Sequence, residues 1–324
     1  METISVNITS EKNLSVQPES CYYLDRFQIF HAGPPTTEYI VNCTLNAILA
    51  IAAILGNGMI LHAIRKSAAL RPPSRALLYS LAASDFGVGL IVQPFYVLYK
   101  TAELKNNHLL YCVGGIGFHL SANVFSAVSF LTVTAIAIDR VLALLLRAKY
   151  QATVSLRRVI KVLLTIWALT GLWVFNWIWN LETYQVFNIT VISVCLLICS
   201  VSYVTLWVTL CQLRKKTVSR RNGGEITPKG ENNVGSRTLL VYKRSVTNMF
   251  CVYALMLVCY VPYLAMFFVI QTTKVNSTKI LALSYTMTVL FANSAFNPFL
   301  YCWRIKEIRN EVLLTLTKFA CKSE

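Results

Sequence analysis

The chain has 324 residues, 56% of them hydrophobic and only 14% charged, where a soluble domain carries about a quarter charged. That much apolar surface cannot be hidden in a water-soluble core of this length, so the composition excludes an ordinary soluble protein. The formal charge of +16 does not imply a nucleic-acid partner, because the basic residues fall in short segments between apolar runs rather than on one face.

Residues 1–38 are polar and contain no apolar core of a cleavable signal, so the first span is expected to direct insertion. Seven apolar runs follow, at roughly 39–64, 76–99, 110–141, 159–181, 185–212, 246–271 and 280–303, each long enough to cross a bilayer as a helix. They predict an all-α membrane protein, a seven-transmembrane helix bundle over 39–303. The third run is interrupted by Ser121, Asn123, Ser126, Ser129, Thr132 and Thr134, and Asp139-Arg140 closes it. Lipid would not tolerate so many polar groups, so this helix is expected to touch protein on most sides and act as a central post.

Basic residues cluster in alternate connections. One side holds Arg65, Lys66, Arg71 and Arg75, then Arg147, Lys149, Arg157, Arg158 and Lys161, then a basic loop over 214–244 and the tail. The other side holds Lys12, Arg26, Lys100, Lys105, Lys274 and Lys279. Positive charge stays inside, which predicts a plasma-membrane protein with its N-terminus extracellular and its C-terminus cytoplasmic. The sequons at Asn7, Asn13 and Asn276 then fall outside as glycosylation candidates, while those at Asn42 and Asn188 lie too near the spans. The middle of the 214–244 loop is polar and glycine-rich, and reads as a disordered tether, with Ser219, Thr227 and Ser236 as candidate phosphosites. Over 304–324, Ile305, Ile308, Val312, Leu316 and Phe319 recur at helical spacing, predicting a short amphipathic helix on the inner leaflet in contact with membrane lipids. Cys321 behind it is either an acylation site or a free thiol. The ten cysteines include no CxxC pair and no zinc spacing.

Asp85 lies deep in the second run. A carboxylate at the centre of a membrane helix costs about 2.5–3.5 kcal/mol and needs partners or water. Asn57, Ser129, Asn293, Ser294 and Asn297 are its candidate partners by depth. Either a helix-packing hydrogen bond or a small hard cation would answer the need; a proton pump, which uses several ionisable groups in line, would not. Pro262 and Pro298 sit inside spans six and seven, where each removes a backbone donor and permits a kink.

These residues form an ordered set: Gly56-Asn57, the LAASD segment ending at Asp85, Asp139-Arg140-Val141, Trp167, Tyr203, Cys259-Tyr260-Val261-Pro262 and Asn297-Pro298-Phe299-Leu300-Tyr301. In this order and in these spans the chain, from about residue 39 onward, resembles the rhodopsin-like (class A) G-protein-coupled receptors. Its short connection between spans four and five is similar to that of the melanocortin, adenosine and cannabinoid receptor group.

The resemblance implies a receptor without enzyme chemistry or a required cofactor, in which binding of an extracellular ligand moves helix six outward to admit a heterotrimeric G protein. Arrestin and receptor kinases are implied partners. Asp139, Arg140, Tyr203 and Tyr301 would form the G-protein switch, and Tyr260, Pro262, Asn297 and Pro298 the activation hinge. Asp85, Ser129, Asn293, Ser294 and Asn297 match the family's sodium site, making sodium the implied allosteric ion. Tyr260 stands where the family has tryptophan, and Cys195 near the usual proline of span five. No acid begins span six near Tyr242, so the usual ion pair to Arg140 is missing and high basal activity is expected. The second extracellular loop has no cysteine, leaving Cys112 to pair with Cys21 or Cys43.

The amine receptors' aspartate is Ala122 here, and the opsins' lysine is Phe291. What remains is an aromatic cup of Phe95, Tyr99, Phe118, Tyr184, Tyr263, Phe267, Met287 and Phe291, with His119, Asn123 and Asn188 as polar contacts. These residues either bind ligand or pack the bundle. As a lining they favour a small neutral or lipid-like agonist over a charged amine, though Glu182 at the rim would suit a cation. The rival readings are a receptor-like protein that does not couple and a seven-helix transporter or pump.

Overall fold

The computed structural model describes residues 36–67, 70–105, 107–146, 149–179, 181–222, 229–273 and 276–320. Side chains at 178, 181–182, 185, 213–214, 216–222, 229–249, 271 and 319–320 lie outside that description. Among the described residues the chain is entirely helical: α1 (Thr36–Lys66), α2 (Pro72–Leu104), α3 (His108–Leu146), α4 (Leu156–Trp173), α5 (Leu181–Asn222), α6 (Lys229–Thr272), α7 (Ser277–Arg304) and α8 (Lys306–Ala320).

Helix α1 shows the inverted logic of a membrane protein. Its buried stripe of Tyr39, Asn42, Asn46, Ala50, Ala53, Asn57 and Ile60 recurs every three or four residues and carries three amides. Its exposed face is Ile40, Ile48, Ile51 and Leu55, which suits lipid. Helix α2 starts on Pro72, where a missing N–H costs nothing, and is interrupted by a π-helical turn at Val88–Val92. Pro94 follows that turn, and such bulges re-aim the remainder of a helix. Helix α3 is more enclosed than any other span, as expected of a central post. Its outer end meets α2 so closely that a Cβ on Gly114 would lie 2.8 Å from the Tyr99 amide nitrogen; only glycine fits there.

Three expectations need correction. Span four was placed at 159–181, but α4 ends at Trp173, and a turn at 174–175 leads into a one-turn helix, Asn176–Trp179. The turn lets Trp177 fold inward, 4% exposed, onto His119. At 18 residues, α4 is short for a span and carries Arg157, Arg158 and Lys161 in its first turns; among the described residues six other helices are long and apolar enough to cross by themselves. The tether over 214–244 is largely helical: α5 runs to Asn222 and α6 begins at Lys229, because propagation adds a hydrogen bond per residue once a helix exists. Lys100 was counted with the outer connections, yet it lies inside α2, 4% exposed.

Helix α8 turns away after Ile305 and buries Ile308 and Val312, while Leu313, Leu314 and Leu316 stay exposed on a face suited to the membrane surface. Gly114→Val should overpack the α2–α3 contact and destabilise the fold by about 1–3 kcal/mol, read as a lower melting temperature of the purified chain. Gly171→Val, at a position with no neighbour within 4 Å, should leave the melt unchanged.

Candidate functional site

The polar residues fall at three depths along the bundle. In the outer half, α3, α5, α6 and α7 enclose a cavity of about 240 Å³. Of the expected cup, Phe118, His119, Asn123, Tyr184, Asn188, Tyr263, Phe267, Met287 and Phe291 line it. Phe95 and Tyr99 do not. Phe95 packs against Gly117, and Tyr99 stacks on Phe118 at 6.1 Å and donates to the Tyr111 hydroxyl at 3.3 Å. Both belong to the wall behind the cavity.

Tyr260, Ser126 and Trp177 also line the cavity. Tyr260 lies edge-on to Phe130 at 5.3 Å. Trp177 stacks on His119 at 5.3 Å with 20° between the rings, a contact with no signature in the sequence, where Trp177 reads as part of span four. Asn123 donates to the His119 carbonyl at 2.7 Å. No aspartate, glutamate, lysine or arginine is among the described lining residues. The Glu182 side chain lies outside the described residues.

Beside the cavity, α1, α2 and α7 are joined by a buried polar ladder that sequence reasoning missed. Asn42 and Asn46 both donate to the Thr288 hydroxyl at 2.8 Å, and Tyr96 donates to Asn42 Oδ1 at 2.8 Å. Asn42 is therefore structural, and its sequon is closed to glycan. Above the ladder, Lys100 pairs with Glu103 at 2.9 Å and lies over the rings of Tyr39 and Tyr99, at 5.0 and 4.8 Å. Amides inside the first apolar run were the available signal, but their partners sit on other helices; Lys100 falls just past the second run, and its partner Glu103 lies three residues on in α2.

At mid-depth Asp85 is wholly buried. Ser294 donates to one carboxylate oxygen at 2.9 Å and Asn297 to the other at 2.7 Å. Asn57 donates to the Ser294 carbonyl at 2.9 Å. The amide oxygens of Asn57, Asn293 and Asn297 are buried without hydrogen-bond partners, and Ser129 is buried on α3. One carboxylate amid neutral oxygens with spare lone pairs fits a small hard cation. Among the described residues no cluster of three or more His, Cys, Asp or Glu exists to hold a transition metal.

At the inner end, Arg140 pairs with Asp139 at 3.3 Å, and the Tyr150 hydroxyl donates to the other Asp139 oxygen at 2.5 Å. Burial first, and then that bond to the carboxylate, push the Tyr150 phenol above its ordinary pKa. The Arg71 guanidinium covers the Tyr150 ring at 5.9 Å. Tyr203 stacks on Tyr253 at 5.0 Å, and the Tyr301 hydroxyl is buried without a hydrogen-bond partner. Arg304 ties α7 to α6 by donating to Cys251 Sγ at 3.0 Å. Of the hinge prolines, Pro262 is exposed on α6, while Pro298 is buried on α7; a Cβ on Gly56 would lie 2.8 Å from Pro298 Cγ.

Cys112 is disulfide-bonded, and Cys43 carries a free thiol, which removes Cys43 from the two proposed pairings. Cys21, Asn7, Asn13, Thr227 and Cys321 lie outside the described residues, as do the side chains of Ser219 and Ser236. Asn276 is exposed and caps α7, its oxygen accepting from the Lys279 amide at 3.0 Å.

Residues 56–185 match the family model described as 7 transmembrane receptor (rhodopsin family). An adenosine receptor A2b of Bos taurus is 31% identical over 136 residues, 42% of this chain and 40% of that protein. A melanopsin of Rattus norvegicus is 28% identical over 162 residues, 50% of this chain and 32% of that one. The match thus spans well under half the length of these curated relatives. The crystal structure of squid rhodopsin superposes with a TM-score of 0.73 at 16% identity, covering 88% of this chain and 87% of that one; the fold is shared.

Tyr150→Phe keeps the ring beneath Arg71 but removes the bond to Asp139. Loss of a hydrogen bond to a charged group should cost about 1.5–3 kcal/mol, measured as a lower melting temperature of the purified chain.

Proposed function

We propose that this chain, a seven-helix membrane protein whose residues 56–185 match the rhodopsin-family receptor model, is a plasma-membrane receptor that couples an extracellular ligand to a heterotrimeric G protein. The N-terminus faces outward and the C-terminus the cytosol, a reading supported by the distribution of basic residues between spans. The observation that carries the reading is Asp85: a fully buried carboxylate bridging α2 to Ser294 and Asn297 of α7, at mid-depth between the outer cavity and the Asp139-Arg140 pair. A ligand that changes the packing of α7 or α6 acts directly on that bridge.

The cavity takes a small neutral or lipid-like agonist, because its described lining offers rings and amides but no charge. A ligand that binds the arrangement with α6 displaced more tightly than the resting one shifts the population toward it. Tyr260 at the cavity floor and Pro262, two residues toward the outer end, are where α6 would yield. On the inner side Arg140 would leave Asp139, and Tyr203 and Tyr301 would turn to meet it; arrestin and receptor kinases would follow the G protein. Sodium, held by Asp85 with Ser129, Asn293, Ser294 and Asn297, would supply a positive charge that offsets the carboxylate and favours the resting arrangement. Lacking an acid near Tyr242 to restrain Arg140, the receptor has high basal activity.

The deciding experiment expresses the chain in cells and measures G-protein activation. Wild type should signal above mock-transfected cells without agonist, and Arg140→Ala, at equal surface expression, should fall to the mock level. Silence of a surface-expressed wild type would favour the receptor-like protein that does not couple. In membranes, replacing sodium by choline should raise basal nucleotide exchange by roughly five-fold, and Asp85→Ala should abolish that difference.

A further inference from the structure

A second cavity, about 590 Å³, opens on the outer surface of the bundle at the inner ends of α1, α2 and α4. It lies apart from the cup, Asp85 and Arg140. Its long wall is apolar: Leu156, Ile160, Leu163 and Leu164 of α4 face Ala76 and Ala83 of α2. Leu164 is 63% exposed, at a depth where the surroundings are lipid. Trp167 closes the deep end and donates its indole N–H to Ser80 Oγ at 3.1 Å, so its one donor is used within the protein.

The opposite end is cationic. Arg65 and Arg75 line it; Arg65 donates to the Tyr79 hydroxyl at 2.6 Å and covers that ring at 5.5 Å, and Arg75 donates to the Ser67 carbonyl at 3.3 Å. A guanidinium has five N–H donors, which leaves a fork on each for a planar or tetrahedral anion. No aspartate or glutamate lines the groove, and among the described residues neither arginine is ion-paired.

We infer that this groove is a binding site for an anionic phospholipid, with an acyl chain along the α4 leucines and the phosphate on Arg65 and Arg75. A zwitterionic lipid brings its own ammonium toward the arginines, and a sterol brings only a hydroxyl, so neither matches both ends. The inner-leaflet placement rests on the orientation proposed above; binding itself does not.

Native mass spectrometry of the full chain released from detergent tests this with dioleoyl phosphatidylserine, dioleoyl phosphatidylcholine and cholesterol at equal concentration. Phosphatidylserine adducts should exceed phosphatidylcholine adducts, and each arginine should contribute roughly five-fold. Arg65→Gln with Arg75→Gln should bring phosphatidylserine down to the phosphatidylcholine level, while Arg157→Gln with Arg158→Gln, outside the groove, should not. Leu164→Trp, which fills the groove and keeps the charges, should also reduce the adducts. Equal binding of the two phospholipids, preferential binding of cholesterol, or equal loss in both double variants would overturn the assignment.

Discussion

One buried carboxylate sets the terms for the rest of the bundle. Asp85 is wholly buried, and two neutral donors from α7 take the place of solvent. Removing those donors would leave a charge in hydrocarbon, so α2 and α7 are held at one separation and in one register. The close fit of Gly56 on Pro298 and the Asn57 bond to the Ser294 carbonyl fix α1 to the same pair. Three helices thus share one constraint, and the outer cavity and the inner Asp139-Arg140 pair lie on either side of it.

Much of this was legible in the sequence, for a physical reason. Hydropathy reports which segments can cross a bilayer, and a lone Asp in an apolar run must find polar company at its own depth. Asp85, Ser294 and Asn297 could therefore be matched by position alone. What stayed hidden depends on packing between elements. The end of α4 is set by Trp177 turning onto His119, which no periodicity encodes. Lys100 was read as a loop cation because its partner Glu103 and the rings that cover it come together only in the fold. Phe95 and Tyr99 carry the residue types of a ligand cup, but the rotation of α2 past its π-helical turn places them behind it. Tyr150 lies in a short connection where a tyrosine has no recognisable pattern, and its bond to Asp139 is visible only in three dimensions.

The inner end illustrates how a missing contact is offset locally. Without an acid near Tyr242 in α6, Asp139 is engaged by Arg140 on its own helix and by Tyr150 from the connection that follows. Arg71 over the Tyr150 ring brings α2 into the same arrangement. All of these restraints come from the α2–α3 side of the bundle.

The polar ladder from Asn42 to Thr288 has a mechanical consequence. Its members, with Asp85 below them, weld α1, α2 and α7 through hydrogen bonds that hydrocarbon cannot replace. Helices α5 and α6 are held mainly by apolar and aromatic faces, with single polar ties such as Ser200 to Tyr253. For such faces a lipid tail is nearly as good a neighbour as another helix. Parting α1, α2 and α7 would thus expose amides to hydrocarbon, whereas parting α5 and α6 from the rest would expose mainly apolar and aromatic faces.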